Sequence, residues 1–329
     1  MTQAIDKIYP VLTLSIREVK ENFKSIILPE TKKLSCVTTP LCCLSALLFA
    51  PVLFFTTIRT IIVHIKNDDL WKGQNMSVYS MIFSPTGGTE KVMKLLEKDF
   101  QTEKRIDLTK NNENYHNLLL KKEDLCLIGV PSYGGRVPQA ALERLRQING
   151  NGAIAIIVVV YGNRAYDDTL LELKNELTDC NFQVVSAIAA VAEHSIMHQF
   201  GAGRPDAKDE QDLHEFAQDI KVALRKQTGN EELQVPGKQP YREYGGLPLK
   251  PQANEKCRSC GQCSAQCPVG AISKDHPTLT DQSKCISCMR CVSICPQNAR
   301  GLHKAMLFVA SQKMKKACSE RKNNELFVS

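Results

Sequence analysis

Two runs of four cysteines constrain this 329-residue chain more than any other feature. The first is Cys257, Cys260, Cys263 and Cys267, followed by Pro268; the second is Cys285, Cys288, Cys291 and Cys295, followed by Pro296. In each run three cysteines stand three residues apart, and the fourth comes four residues later. Tight turns between the first three return the chain to one small volume, so three thiolates meet at a common centre. Structural zinc sites use two separated Cys-x-x-Cys pairs instead of two such runs. A disulfide framework needs an oxidising compartment, and nothing in the sequence reads as a cleavable signal peptide. The chemistry that fits the spacing is thiolate ligation of iron–sulfur clusters.

The pattern resembles that of bacterial two-cluster ferredoxins, and every one of the eight ligand positions is filled. The resemblance implies crossed ligation, in which the fourth cysteine of each run serves the other cluster. One [4Fe-4S] cluster would then take Cys257, Cys260, Cys263 and Cys295, and the second Cys285, Cys288, Cys291 and Cys267. Such a domain needs only about fifty or sixty residues, so length leaves room for a second domain with its own core. Cys36, Cys42, Cys43, Cys126, Cys180 and Cys318 have no ligand spacing and read as small buried hydrophobes in a reducing cytosol.

Residues 1–75 form an N-terminal extension. Its stretch 34–58 carries no charged residue, which is long enough to span a bilayer. Lys20, Lys24, Lys32 and Lys33 precede it, and Arg59, Lys66 and Lys72 follow, a bias toward an inside N-terminus. That orientation would place the cysteine runs outside, where cluster assembly is implausible. Three readings stand: a membrane segment with a weak charge bias, an apolar segment that does not span, or a non-native extension ahead of a start at Met76.

From Ser77 the pattern alternates. Apolar runs at Ser77–Phe83, Asp124–Val130, Ala153–Val160 and Phe182–Val191 are separated by stretches of helical periodicity, which predicts a doubly wound parallel sheet. The first run feeds Ser84-Pro85-Thr86-Gly87-Gly88-Thr89 and then a helix, so backbone N–H groups and hydroxyls converge as an anion site. Neither a Walker loop nor Gly-x-Gly-x-x-Gly is present. Two more runs end in Ser132-Tyr133-Gly134-Gly135-Arg136 and Tyr161-Gly162-Asn163-Arg164, at the strand ends where such sheets bind ligands.

The Ser/Thr-x-Thr-Gly-x-Thr loop resembles the phosphate loop of flavodoxins. From Met76 onward the chain resembles flavodoxin–ferredoxin fusions, electron-transfer proteins of anaerobic bacteria and archaea; the ending from Arg321 to Phe327 also looks like theirs. The resemblance implies an α/β flavodoxin-like domain (76–225), a linker (226–249), a small α+β ferredoxin domain (250–300) and a C-terminal helix and tail (301–329). It implies FMN, with Ser84, Thr86, Gly87, Gly88 and Thr89 at the phosphate. Ser132, Tyr133, Gly134, Gly135, Arg136, Tyr161, Gly162 and Asn163 would border the isoalloxazine. Arg136 and Arg164 are expected beside the ring, making the flavin easier to reduce; the alternative is that both face solvent or pair with neighbouring carboxylates such as Asp167 and Asp168. The loop Glu193–Asp209 would cover the flavin or dock the ferredoxin, with His194 facing solvent.

These features predict electron transfer between two [4Fe-4S] clusters and FMN. The alternatives are an FMN-dependent reductase fed by the clusters or a membrane-anchored redox subunit. A redox protein is the expected donor or acceptor, with membrane contact only through 34–58. The expected site is the cytoplasm, with tethering through that segment. The mild net charge of +7, and a basic tail without interleaved aromatics, argue against nucleic acid.

Overall fold

The computed structural model describes residues 72, 76–226 and 232–329. Segment 34–58, the start at Met76 as a boundary, and Cys36, Cys42 and Cys43 lie outside the described residues or rest on them. No helix among the described residues is long and apolar enough to cross a membrane. Both the strand-rich region and the cysteine runs fall within one compact unit, Asn67–Ser329.

Five strands run parallel: β1 (Val78–Ile82), β2 (Lys104–Asp107), β3 (Leu125–Pro131), β4 (Ile154–Tyr161) and β5 (Gln183–Val191). Their spatial order, β2-β1-β3-β4-β5, is that of the flavodoxin-like sheet. β4 shows why the sequence takes this form. Ile157, Val159 and Tyr161 point to one face and Ile156, Val158 and Val160 to the other, and all six are buried. Only a central strand covered on both sides can bury so continuous an apolar run.

The covering helices supply matching stripes. Helix α1 (Gly88–Phe100) turns Val92, Met93, Leu96 and Phe100 to the sheet, and α4 (Ala207–Lys226) adds Leu213, Ala217 and Ile220 to the same layer. On the opposite face lie α2 (Gln139–Leu145) and α3 (Thr169–Asp179), through Leu142, Leu145, Leu170, Leu173 and Leu177.

The cysteine-rich region follows as β6 (Gln252–Ala253), α5 (Gln262–Ala265), α6 (Arg290–Ser293) and β7 (Arg300–Gly301), with β6 and β7 paired antiparallel. Helix α7 (Lys304–Cys318) then leads to β8 (Glu325–Val328). β8 pairs antiparallel with β5, so the last strand of the chain completes the sheet begun at Val78. The cysteine-rich region is thus inserted between α4 and β8, and the C-terminal tail belongs to the sheet.

The described part of the segment expected to be a linker is fastened to the sheet domain at several points. Leu233 enters the core, and the backbone N–H groups of Lys238 and Arg242 donate to Asp168 at 2.9 and 2.7 Å. It has no regular structure because it follows α3 instead of pairing with it.

Candidate functional site

A cleft opens at the carboxyl ends of β1, β3, β4 and β5. Its walls include Ser84, Pro85, Thr86, Gly88, Thr89, Ser132, Tyr133, Gly134, Tyr161 and Gly162. At one end, the backbone N–H groups of Thr86, Gly87, Gly88 and Thr89 donate to no protein acceptor among the described residues. Gly87 takes φ 89°, with no atom within 4 Å of where a Cβ would stand, so the loop turns without a side chain in the way. Ser84 Oγ accepts from Glu90 N at 3.0 Å, which leaves its proton free to donate. This donor set fits the phosphate of FMN.

Farther along, Thr169 Oγ1 donates to Tyr166 O at 2.6 Å, so the 2.7 Å contact to Ser132 makes Ser132 the donor. Its lone pairs then face the cleft and suit a flavin or ribityl donor. Burial pushes the Tyr133 phenol well above its usual pKa, with the charges of Cys288 and Tyr244 adding to it. Gly134, at φ 62°, lies so close to Tyr244 that a Cβ would stand 2.2 Å from the ring. His194 also lines the cleft and is not solvent-facing, contrary to expectation. Its Nδ1 accepts from Ile196 N at 3.1 Å and Met197 N at 3.2 Å, and burial holds its pKa down to about 4, so the ring is neutral.

Several expected flavin contacts lie elsewhere. The Arg136 guanidinium forks onto the buried carboxylate of Glu172 at 2.9 and 2.6 Å and is held there by Arg242 O. Arg164 pairs with Asp167. Neither arginine lines the cleft, because each finds a carboxylate on its own side of the loop. Asn163 is buried and clamps the tail: its amide donates to Cys318 O at 2.6 Å and Glu320 O at 2.9 Å and accepts from Lys322 N. Gly135 packs against Asp167 and Arg242. The Tyr161 side chain points into the core edge-on to Tyr166, leaving its backbone at the cleft. Conversely, Tyr244, Leu247 and Ser287 line the cleft from the linker and the second cysteine run. No local sequence signal marks them, because their place depends on packing between distant segments.

The cysteines lie in two neighbourhoods. Cys257, Cys260, Cys263 and Cys295 line one pocket, open to solvent, together with Arg300. In the other, burial pushes up the thiols of Cys288 and Cys291. Cys267, Cys291 and Cys285 add to it at Cys288, while at Cys291 Arg300 opposes it and Cys285, Cys267 and Cys263 add to it. Among the described residues no three such side chains close on a point as a single ion would need. The two halves repeat in detail. Ser259 and Ser287 take φ 50° and 55°, and Gly261 and Met289 take 76° and 61°. Ala271 N donates to Cys267 Sγ at 3.3 Å, and Ala299 N to Cys295 Sγ at 3.2 Å. N–H···S bonds of this kind stabilise charge on cluster sulfur.

The second set faces the sheet domain. Asn111 donates to Cys267 O at 2.9 Å, buried Arg144 reaches both Leu108 O and Pro268 O, and Met289 packs with Ile196, Met197 and Phe200. The loop beginning at Glu193 therefore both lines the cleft and holds the cysteine-rich region.

Comparison with known proteins gives one family match and several distant structural likenesses. Residues 256–300, which hold all eight cysteines, match the family described as 4Fe-4S dicluster domain. Among solved structures, the Streptococcus pneumonia TIGR4 flavodoxin is 17% identical over 44% of this chain and 99% of its own, with a TM-score of 0.33. An archaeal flavodoxin is 12% identical over 46% and 99%, with a TM-score of 0.31. Rubredoxin oxygen:oxidoreductase of Desulfovibrio gigas is 18% identical over 46% of this chain, which spans only 36% of that longer one, with a TM-score of 0.34. No curated protein matches. The strand order and the matched cysteine segment make this chain a flavodoxin-like domain fused to a ferredoxin-type 4Fe-4S domain.

Proposed function

We propose that the chain transfers electrons between FMN in the cleft and two [4Fe-4S] clusters on the cysteine sets. The observation that carries this reading is Ser287, which lies between two cysteines of the second set and also lines the cleft. One loop thus borders both cofactors. Flavin exchanges one or two electrons and each cluster one, so the pair converts between one- and two-electron partners. The protein's part is to hold the phosphate at the α1 N-terminus, present Ser132 to the ring, and keep Tyr133 and the second cysteine set together. Anaerobic reconstitution tests it. About eight iron atoms and one FMN should be retained per chain, and photoreduced flavin should pass electrons to the clusters within the isolated protein. Retention of iron without flavin, or of zinc alone, would overturn it.

A second reading, a reductase of an apolar organic molecule, is favoured by one feature. A largely apolar groove lined by Met197, Leu249, Met306, Val309 and Met314 shares His194, Ile196 and Leu247 with the cleft. Saturable oxidation of the reduced protein by a soluble naphthoquinone, abolished in Val309→Arg, would support that reading. Second-order oxidation, equal in both proteins, would remove it.

A further inference from the structure

Arg290 belongs to neither cysteine set, and sequence reading gave it no role. It stands between Cys288 and Cys291 at the start of α6, yet its Nη1 donates to the carbonyl of Pro85 at 3.1 Å. Its Nη2 donates to Gln266 Oε1 at 2.6 Å, on the residue next to Cys267. Its Nε–H is shielded from water and has no partner among the described residues. A shielded guanidinium N–H is costly to leave unpaired, and a phosphate oxygen is the acceptor it suits best.

The position is informative. Pro85 is the second residue of the loop whose next four N–H groups are open, and it lines the cleft itself. The cleft lining contains no lysine or arginine, and Arg290 stands just outside it, against the carbonyl of the lining residue Pro85. Glu193, the one carboxylate in the lining, is engaged by His198 and by Gly203 N. Arg290 therefore brings a full positive charge to the edge of a site otherwise built from neutral donors.

We propose that Arg290 completes the phosphate site from the iron–sulfur side, so that a flavin carrying a phosphate ester is selected over one without it. This rests on reading the cleft as an FMN site. The consequence is a link between cofactors. The turn that wraps the second cysteine set also sets the cation, so its geometry bears on flavin affinity.

The test compares FMN with riboflavin, which share the ring and ribityl chain and differ in the phosphate. Both are titrated by fluorescence quenching into deflavinated, iron-loaded protein. In Arg290→Gln, FMN affinity should fall about tenfold while riboflavin affinity holds, with iron content and cluster spectra unchanged. Arg290→Lys, which keeps the charge, should lose less and become more salt-sensitive. An FMN-to-riboflavin affinity ratio unchanged in both variants would overturn the proposal, whether the two flavins weakened together or not at all. Failure of the parent protein to bind either flavin would instead overturn the reading of the cleft, and this inference with it. Should the glutamine variant lose iron, the ratio in Arg290→Lys decides alone, through its steeper dependence on salt.

Discussion

At the scale of single residues, the two cysteine runs differ where their backbones agree. Gly261 and Met289 occupy equivalent left-handed positions, and only one is glycine. A non-glycine residue there costs about 1–2 kcal/mol. Met289 accepts the cost because its side chain is 4% exposed and anchors the run against Ile196, Met197 and Phe200, a burial of roughly 1.5–3 kcal/mol. The expected order of substitutions is therefore inverted. Met289→Gly, which loses the anchor but relieves the backbone, should cost about 1 kcal/mol, and Met289→Ala, which keeps the strain, about 2–3. Thermal unfolding of the cluster-loaded variants measures this, and an alanine variant more stable than the glycine one would refute it.

His194 gives a second test at this scale. Burial, then the charges of His198 and Arg164, holds its folded pKa near 4 against 6.5 when free. The unfolded chain binds the extra proton between those values, so stability is complete above about pH 6.5 and falls as pH drops toward 4. The full loss is roughly 3 kcal/mol. Urea midpoints between pH 7 and 4.5 should decline in the parent and stay flatter in His194→Gln. Equal slopes would show that the ring is not the titrating group.

At the scale of elements, legibility followed locality. β1, β3, β4 and β5 were legible because each is a long apolar run that can only be buried on both faces. β2 was not, since Lys104-Arg105-Ile106-Asp107 is a short edge strand with one buried apolar side chain. The two cysteine runs were legible from their spacing, whereas the crossed pairing between them came only from the resemblance to two-cluster ferredoxins. Asn163, Arg136 and Tyr161 were placed at the flavin because they sit in the right loops, but a loop position does not tell which way a side chain points. β8 was hidden because its partner β5 lies more than a hundred residues away. What locks β8 in place is a buried polar cluster, in which Arg204 pairs with Asp209 and Asp209 accepts from Asn324 at 2.9 Å, with an exposed pair outside it, Arg321 to Asp206 at 2.7 Å. Asp209→Ala would strand Arg204, which is 4% exposed, as an unpaired buried cation, at a cost of roughly 3–5 kcal/mol. The expected outcome is early proteolytic loss of the tail before the sheet unfolds, followed by mass spectrometry. Cleavage at parental rates would mean that strand pairing alone holds β8.

At the scale of the whole molecule, the two cysteine sets are not equivalent. Cys267, Cys288 and Cys291 are buried and Cys285 is half-buried, whereas Cys260 is exposed and Cys257, Cys263 and Cys295 are half-buried. If FMN and two clusters occupy their sites, electrons pass in line from cleft to inner cluster to outer cluster. An external redox protein would meet the chain at the outer set. Arg258, exposed beside Cys257, then contributes to the docking charge. Electrostatic complementarity acts mainly on encounter rates and is screened by salt. Arg258→Glu should therefore slow reduction of an acidic protein acceptor severalfold at low ionic strength and speed that of a basic one. Flavin-to-cluster transfer within the isolated protein should be unchanged. The two effects should converge as salt rises past about 0.2 M. Stopped-flow reduction of one acidic and one basic acceptor measures both arms. Rates insensitive to Arg258 with either acceptor would move the exit point away from the outer cysteines, and a change in the internal rate would show that the substitution disturbs the cluster itself.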